Sequence, residues 1–151
     1  MSSEQKSPTQ VPFAAEVFTW PAEQPRLIGG RCSHCAAIAF PAPASCARCG
    51  AVDIERHLLP TRGTLWTWTT QDFLPKDPYA SGETAETFTP YGVGLVQLGD
   101  EVRVEGRLTE ADPAKLHIGM EVELAIVPFR QEPDGSQVMV YAFSPIQPEG
   151  Q

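Results

Sequence analysis

Four cysteines, spaced as two short pairs, carry the clearest chemical signal in this chain. Cys32 and Cys35 form one C-x-x-C pair, and Cys46 and Cys49 form a second pair after ten intervening residues. A two-residue spacer lets both sulfurs of a pair face one ion, so two such pairs predict a single tetrahedral thiolate site. Because four sulfurs fill all four positions, we expect one structural metal ion, with zinc favoured and iron as the alternative.

Other uses of the cysteines fit the sequence less well. Two disulfides would suit a secreted domain, but residues 1–12 are polar and lack the apolar segment of a signal peptide. A thioredoxin-like motif needs one C-x-x-C at a strand–helix junction, whereas two pairs occur here in a proline-rich stretch. Reduced cysteines, together with the lack of an apolar run long enough to span a bilayer, predict a cytoplasmic protein without a membrane segment.

The charge of the chain is acidic overall but unevenly distributed. The net charge of −8 disfavours a general nucleic-acid binder, which is usually basic. Residues 24–62 hold five arginines against two acidic residues, whereas residues 63–151 hold five basic and fourteen acidic residues. An anionic ligand should therefore prefer the cysteine region, where Arg31 and Arg48 are the candidate contacts. The alternative is that these arginines only solvate the surface.

The pattern of apolar residues predicts a mainly β protein. Fifteen prolines and twelve glycines argue against a helical chain. We expect an extended or disordered arm over residues 1–24, a zinc ribbon over 25–60, a five-stranded OB-fold barrel over 61–146 and a disordered tail over 147–151. Gly99-Asp100 predicts a tight hairpin, and a short helical turn is expected between the third and fourth barrel strands, which is the order of an OB-fold.

A long irregular segment interrupts the barrel between its first two strands. Residues 71–90 contain three prolines and a glycine between the flanking strand patterns. Loops of this length without regular structure are usually functional or disordered. Phe73, Tyr79 and Phe88 supply apolar anchors that a disordered linker would not need, so we expect the loop to cover an acyl group or a partner surface.

Two details of the predicted strands bear on binding. Trp66 and Trp68 lie two residues apart and are expected to share one face of their strand. They could stack on nucleobases, as OB-fold residues do, but the acidic barrel favours packing in the core or against a partner. Gly92 and Gly94 lie within a strand without a following helix, which indicates a bulge or close backbone packing rather than a phosphate loop.

The combination of motifs resembles a known family of rubredoxin-like zinc-ribbon and OB-fold proteins encoded beside thiolases. The resemblance covers about residues 25–146 and rests on four runs: Arg31-Cys32-x-x-Cys35, Phe40-Pro41, Cys46-x-x-Cys49-Gly50 and Gly63-Thr64-Leu65. Members of that family are mostly non-catalytic subunits of thiolase-fold enzymes that act on acyl-CoA. The resemblance implies a thiolase or retro-aldolase partner, a hetero-oligomer such as a heterotetramer, help in enclosing the acyl-CoA, and the four cysteines as metal ligands.

One residue departs from the family pattern. Many relatives carry glycine after the second cysteine of the first pair, where this chain has Ala36. If the left-handed backbone conformation is kept, alanine should cost about 1 kcal/mol there.

The residues themselves favour an accessory role over catalysis. A thiolase needs a nucleophilic cysteine, and all four thiols are assigned to the metal. His34, His57 and His117 lack a neighbouring nucleophile–carboxylate pattern, so structural roles are expected for them. The sequence thus predicts a non-catalytic, zinc-binding subunit that contacts acyl-CoA together with its partner. A nucleic-acid-binding module is the alternative, since zinc ribbons and OB-folds both serve there.

Overall fold

The computed structural model describes residues 9–146, which form two β-sheets. In chain order the strands are β1 (Gln10–Pro12), β2 (Ile28–Cys32), β3 (Ile38–Ala39), β4 (Ile54–Leu58), β5 (Arg62–Gln71), β6 (Tyr91–Leu98), β7 (Val102–Leu108), β8 (Glu121–Gln131) and β9 (Gln137–Pro145). The first eight residues of the predicted arm and the predicted tail lie outside the described residues. Within that range, no helix has the length and apolar character needed to cross a membrane.

The first sheet is a small antiparallel ribbon that carries the cysteines. Its strand order is β3-β2-β4, with β2 in the centre. Cys32 is the last residue of β2 and is paired with Ile54 of β4. Cys35 lies in the connection from β2 to β3, and Cys46 and Cys49 lie in the connection from β3 to β4.

The second sheet closes into a five-stranded barrel. The strands follow the order β9-β7-β6-β5-β8, and additional pairing of β9 with β8 completes the ring. Gly99, at φ 57°, is in the turn that joins β6 to β7 as a hairpin, as the sequence predicts. A short 3₁₀ turn at Pro113–Lys115 connects β7 to β8. Five strands with this connection between the third and fourth confirm the predicted OB-fold.

One hydrophobic core extends through the barrel and into the ribbon. Leu65 and Phe143 have fully buried side chains inside the barrel. Phe18, Leu27 and Leu59, which precede the barrel in the chain, belong to the same buried cluster. Burying a leucine or phenylalanine stabilises a fold by about 1.5–3 kcal/mol, so these three residues fasten the ribbon to the barrel.

Polar contacts reinforce the junction between ribbon and barrel. The backbone N–H of Leu59 donates to the carbonyl of Leu27 over 3.0 Å. The Arg26 side chain donates from Nε to the Leu59 carbonyl, over 2.9 Å. His57 Nε2 on β4 lies 3.0 Å from Glu101 Oε1 at the barrel hairpin. Backbone and side-chain bonds therefore restrict the ribbon to one orientation.

The N-terminal segment is more structured than the sequence suggests. An extended or disordered arm is expected over residues 1–24, and in its described part β1 pairs in parallel with β9, with Val11 opposite Val138. A little further on, the 1% exposed side chain of Phe18 lies in the core. The three residues of β1 are too few to show a periodic pattern in the sequence. They form a strand because the open edge of β9 offers them hydrogen-bond partners.

The expectation that Trp66 and Trp68 share a face is wrong. The register of β5 against β6 shifts between Leu65 and Thr67, so Trp66 is the extra residue of a β-bulge. Trp68 packs against the core, whereas Trp66 is 51% exposed. A bulge inserts one residue into a strand and re-aims the side chain there, which the period-two rule does not anticipate.

The predicted close packing at the strand glycines is confirmed. A Cβ atom on Gly92 would lie 2.4 Å from the Glu110 carbonyl oxygen, and one on Gly94 would lie 2.7 Å from the Leu65 side chain. Neither distance is compatible with a real side chain unless the neighbour moves. Glycine is therefore required by the narrow barrel interior, and no phosphate loop is involved.

Candidate functional site

The four cysteine sulfurs converge at one end of the ribbon. All four Sγ atoms lie within 4.8 Å of one another. Cys32 Sγ is 3.5 Å from Cys49 Sγ, and Cys35 Sγ is 3.6 Å from Cys46 Sγ. A disulfide requires about 2.05 Å, whereas sulfurs at about 2.3 Å from a central ion are about 3.8 Å apart in a tetrahedron. The four cysteines are thus positioned to bind one metal ion.

The two cysteine pairs are built as near copies of one turn. The N–H of Ala36 donates to the Cys32 carbonyl over 2.9 Å, and the N–H of Gly50 donates to the Cys46 carbonyl over 2.8 Å. Both closing residues adopt left-handed backbone conformations, with φ 65° at Ala36 and 77° at Gly50. The first turn therefore keeps the conformation that favours glycine although it contains alanine.

Backbone donors favour the thiolate form in each turn. The N–H groups of Cys49 and Arg48 lower the pKa of the Cys46 thiol to about 6. Mainly through the N–H of Cys35, the pKa of Cys32 is also lowered. The Ala51 N–H lowers the pKa of Cys49, but the neighbouring Cys32 sulfur and burial outweigh it and raise that pKa to about 12. Four neighbouring thiols cannot all lose their protons without a cation, because the resulting thiolates repel one another. A bound divalent metal ion offsets this repulsion.

The two candidate arginines of the ribbon remain exposed. Arg31 lies on β2 with Glu55 as its cross-strand neighbour, and Arg48 lies inside the second cysteine turn. Within residues 9–146, neither side chain forms an ion pair. Both are accessible to an anion, and nothing in the fold distinguishes them from solvated surface arginines.

The long loop is held against the barrel by its aromatic residues. Tyr79 stacks on Tyr91 with ring centroids 6.2 Å apart, and its ring meets the edge of Phe129 at 5.4 Å. Phe88 packs against Tyr91 at 6.1 Å. Phe73 differs from them, since 81% of its surface is exposed. Two of the three predicted contact residues therefore anchor the loop, and only Phe73 points to solvent.

A cleft that the sequence did not predict lies where arm, ribbon and barrel meet. Its volume is about 500 Å³, within the range of small-molecule sites. Its lining is largely apolar, with Phe13, Phe40 and Tyr141 among the aromatic residues, and it includes Arg103, Glu105 and Arg107 of β7. The cleft thus combines an apolar wall with two arginines and one glutamate.

The two cleft arginines are held by aromatic rings. Arg107 lies 3.9 Å from the Tyr91 ring centroid, and its Nη1 donates to Tyr79 Oη over 3.3 Å. Arg103 lies 3.8 Å from the Trp66 centroid. Neither guanidinium has a carboxylate within 4.0 Å in residues 9–146. Apolar and charged residues alternate along β7 in the sequence, and this alternation could have identified both arginines as outward-facing.

Family models match both halves of this fold. Residues 19–55 match the model described as ChsH2, rubredoxin-like zinc ribbon domain, and residues 57–127 match ChsH2, C-terminal OB-fold domain. These matches and the geometry above define a zinc-ribbon and OB-fold protein with a metal-binding cysteine cluster.

Individual relatives extend the match over most of the chain. A DUF35 domain-containing scaffold protein of Pyrococcus furiosus is 35% identical over 125 residues, covering 82% of this chain and 86% of the relative. The benzoylsuccinyl-CoA thiolase subunit BbsA of Thauera aromatica is 28% identical and covers 94% of this chain and 93% of the relative. The chain belongs to the DUF35 family.

A solved structure supports the same assignment. The chain resembles a chain of the Ltp2-ChsH2(DUF35) aldolase with a TM-score of 0.59 and 26% identity. The match covers 80% of this chain and 84% of the other. Ribbon and barrel are therefore shared with a protein of an aldolase complex, and the predicted family resemblance is confirmed.

Proposed function

We propose that this protein is a non-catalytic subunit that docks on a thiolase-fold enzyme acting on acyl-CoA. The observation that carries the proposal is the match over nearly the whole chain to a subunit of benzoylsuccinyl-CoA thiolase. The likeness to a chain of the Ltp2-ChsH2(DUF35) aldolase supports it independently. The partner is then a thiolase or a retro-aldolase, in a hetero-oligomer such as a heterotetramer.

The positions of the potentially reactive side chains support a role without catalysis. The four cysteines form the metal cluster. His34 Nε2 lies 3.2 Å from Asp53 and His57 Nε2 lies 3.0 Å from Glu101, and neither contact includes a nucleophile. A carboxylate partner alone does not make a histidine a catalytic base, because a general base must also reach the proton that it removes. The chemistry is therefore assigned to the partner enzyme.

We assign a structural zinc ion to Cys32, Cys35, Cys46 and Cys49. Zinc bound by four thiolates has no open position for a substrate, so its contribution is to the folding of the ribbon. The Arg48 N–H donates to Cys46 Sγ over 3.4 Å, which helps hold that thiolate toward the ion. Iron accepts the same ligands, and elemental analysis of the purified protein distinguishes the two metals.

Acyl-CoA contact is assigned to the cleft together with the exposed ribbon and loop residues. Among the described residues, the Arg107 side chain donates a hydrogen bond only to Tyr79 Oη, and phosphates gain charge-assisted hydrogen bonds from arginine. The apolar part of the lining, with Phe40 and Tyr141 in edge contact at 5.6 Å, suits an acyl or aryl group. Arg31, Arg48 and Phe73 remain candidate contacts, whereas Tyr79 and Phe88 position the loop.

The test is reconstitution with a thiolase-fold enzyme encoded beside this chain. Acyl-CoA cleavage should appear when both proteins are mixed and should be absent with either alone. Full activity from the enzyme alone would show that this chain is not a required subunit.

A variant locates the acyl-CoA contact within the reconstituted complex. Arg107→Gln should raise the KM for acyl-CoA at least fivefold while the zinc content stays unchanged. Arg62→Gln is the matched control, because Arg62 is 74% exposed on the barrel and lies 3.8 Å from Glu123. Equal KM values for the two variants would place the CoA contact outside the cleft.

A further inference from the structure

The β-bulge in β5 presents a tryptophan to solvent where the fold does not need one. Leu65 is fully buried and Trp68 packs against the core, so the residues on either side of the bulge supply the inward contacts. Trp66 is left 51% exposed. Bulges frequently re-aim a side chain at a functional surface, and the bulge here aims a large aromatic side chain outward.

Arg103 gives this tryptophan a fixed and charged neighbour. Its guanidinium lies 3.8 Å from the ring centroid of Trp66, and its Nε donates to Gln97 Oε1 over 2.8 Å. One of the five N–H donors is used in this bond, and no carboxylate lies within 4.0 Å in the described part of the chain. The arginine is thus an unpaired positive charge on a barrel rich in acidic residues.

A second exposed apolar residue lies beside the bulge. The Leu65 N–H donates to the Met120 carbonyl over 2.9 Å, and the Gly119 N–H donates to the Leu65 carbonyl over 2.8 Å. Trp66 follows Leu65 and Ile118 precedes Gly119, so the two residues flank this backbone-bonded pair. Ile118 is 69% exposed. We call Trp66, Arg103 and Ile118 the bulge patch: two exposed apolar residues that flank the bonded pair, with the arginine stacked on Trp66.

We propose that the bulge patch is the contact by which this chain docks on its enzyme partner. Tryptophan and arginine dominate the binding energy of protein interfaces, especially where their side chains are already ordered in the free protein. The partner surface that fits is an apolar pocket for Trp66 and Ile118 with a carboxylate at its rim for Arg103. The identity of the partner rests on the proposed function, whereas the position of the contact comes from the geometry alone.

The experiment measures the affinity of the purified full chain for the same thiolase-fold enzyme by surface plasmon resonance. Trp66→Thr, which keeps a strand-compatible residue, should weaken binding at least tenfold, and Ile118→Thr should weaken it several-fold. Arg103→Gln should also weaken binding and should reduce its dependence on salt, because the charge pair across the interface is lost. Unchanged zinc content and melting temperature would show that each variant is folded.

Two exposed residues elsewhere provide matched controls. Val52→Thr removes an apolar residue that is 75% exposed on the ribbon, and Arg62→Gln removes an arginine from the same strand as Trp66. Both should keep the affinity within twofold of the wild type. If the enzyme binds the wild type and all three bulge-patch variants equally, the inference is wrong and the proposed function stands.

Other results would overturn the inference in different ways. Lack of binding by the wild-type chain would remove the proposed function and the docking contact together. A concentration-dependent dimer of the chain that is lost in Trp66→Thr would assign the patch to a second copy. Binding of a single-stranded oligonucleotide that needs Trp66 would assign it to nucleic acid.

Discussion

The alanine that closes the first cysteine turn allows a direct test of how much a left-handed backbone conformation costs at a residue other than glycine. Ala36 and Gly50 occupy equivalent positions, with φ 65° and 77°, and both donate to the carbonyl of the first cysteine of their pair. An L-residue in the left-handed region costs about 1–2 kcal/mol, and glycine loses about 0.5–1 kcal/mol of extra chain entropy on folding. Ala36→Gly should therefore stabilise the zinc-bound protein by about 0.5–1 kcal/mol.

Gly50→Ala, the reverse substitution at the equivalent position of the second turn, is the control. A Cβ atom at Gly50 would meet nothing within 4 Å, so the change adds no steric contact and alters only the backbone preference. It should destabilise the protein by about the same amount, 0.5–1 kcal/mol. In the double variant the two effects should largely cancel, unless the shared metal ion couples the two turns.

The measurement is urea denaturation at a fixed free zinc concentration. Zinc must be buffered, because a ligand that binds only the folded state adds stability that depends on its concentration. Competition with a chelator gives a second readout, in which about 0.5–1 kcal/mol corresponds to about two- to fivefold in zinc affinity. If Ala36→Gly were neutral or destabilising while Gly50→Ala cost the expected amount, the first turn would have to relax without strain, and the reasoning would be refuted.

Two further perturbations compare how the metal ion, the hydrophobic core and the surface contribute to the stability of the fold. Removal of zinc by a chelator, or the substitution Cys46→Ser, should unfold the ribbon, because metal binding contributes to folding. The unfolding should be detected as a loss of near-UV circular dichroism. A native spectrum without metal would argue against this. Phe143→Ala should lower the free energy of unfolding by about 3–5 kcal/mol, because that ring is fully buried. Phe73→Ser, at a side chain that is 81% exposed, should change it by less than about 0.5 kcal/mol. Similar urea midpoints for the two variants would contradict the burial argument.

Local signals in the sequence predict the metal cluster and the order of barrel strands. The spacing of Cys32, Cys35, Cys46 and Cys49 is enough to predict one cluster, because each pair must turn within a few residues to bring its sulfurs together. Gly99-Asp100 predicts its hairpin for the same reason, since a two-residue turn requires particular backbone angles. The sequence leaves the backbone conformation at Ala36 open, and the structure shows it in the left-handed region, with φ 65°.

Features that depend on distant pairing could not be predicted. The bulge at Trp66 arises from the register of β5 against β6 and from its backbone bonds to Gly119 and Met120, which no short window contains. The contacts of Tyr79 and Phe88 with Tyr91 join the loop to β6, and no short stretch of sequence reveals them. The cleft likewise needs arm, ribbon and barrel to be assembled before its residues come together.

The boundary between the two family models falls inside a structural element, which affects how such proteins could be recombined. The matched ranges end at residue 55 and resume at residue 57, within strand β4 (Ile54–Leu58). Across that boundary, Phe18, Leu27 and Leu59 fill the same interior as the barrel strands. A hybrid that joins the ribbon of one relative to the barrel of another must exchange these three side chains as a set. Grafts cut at the boundary given by the sequence models should therefore fold poorly even when both donors are stable.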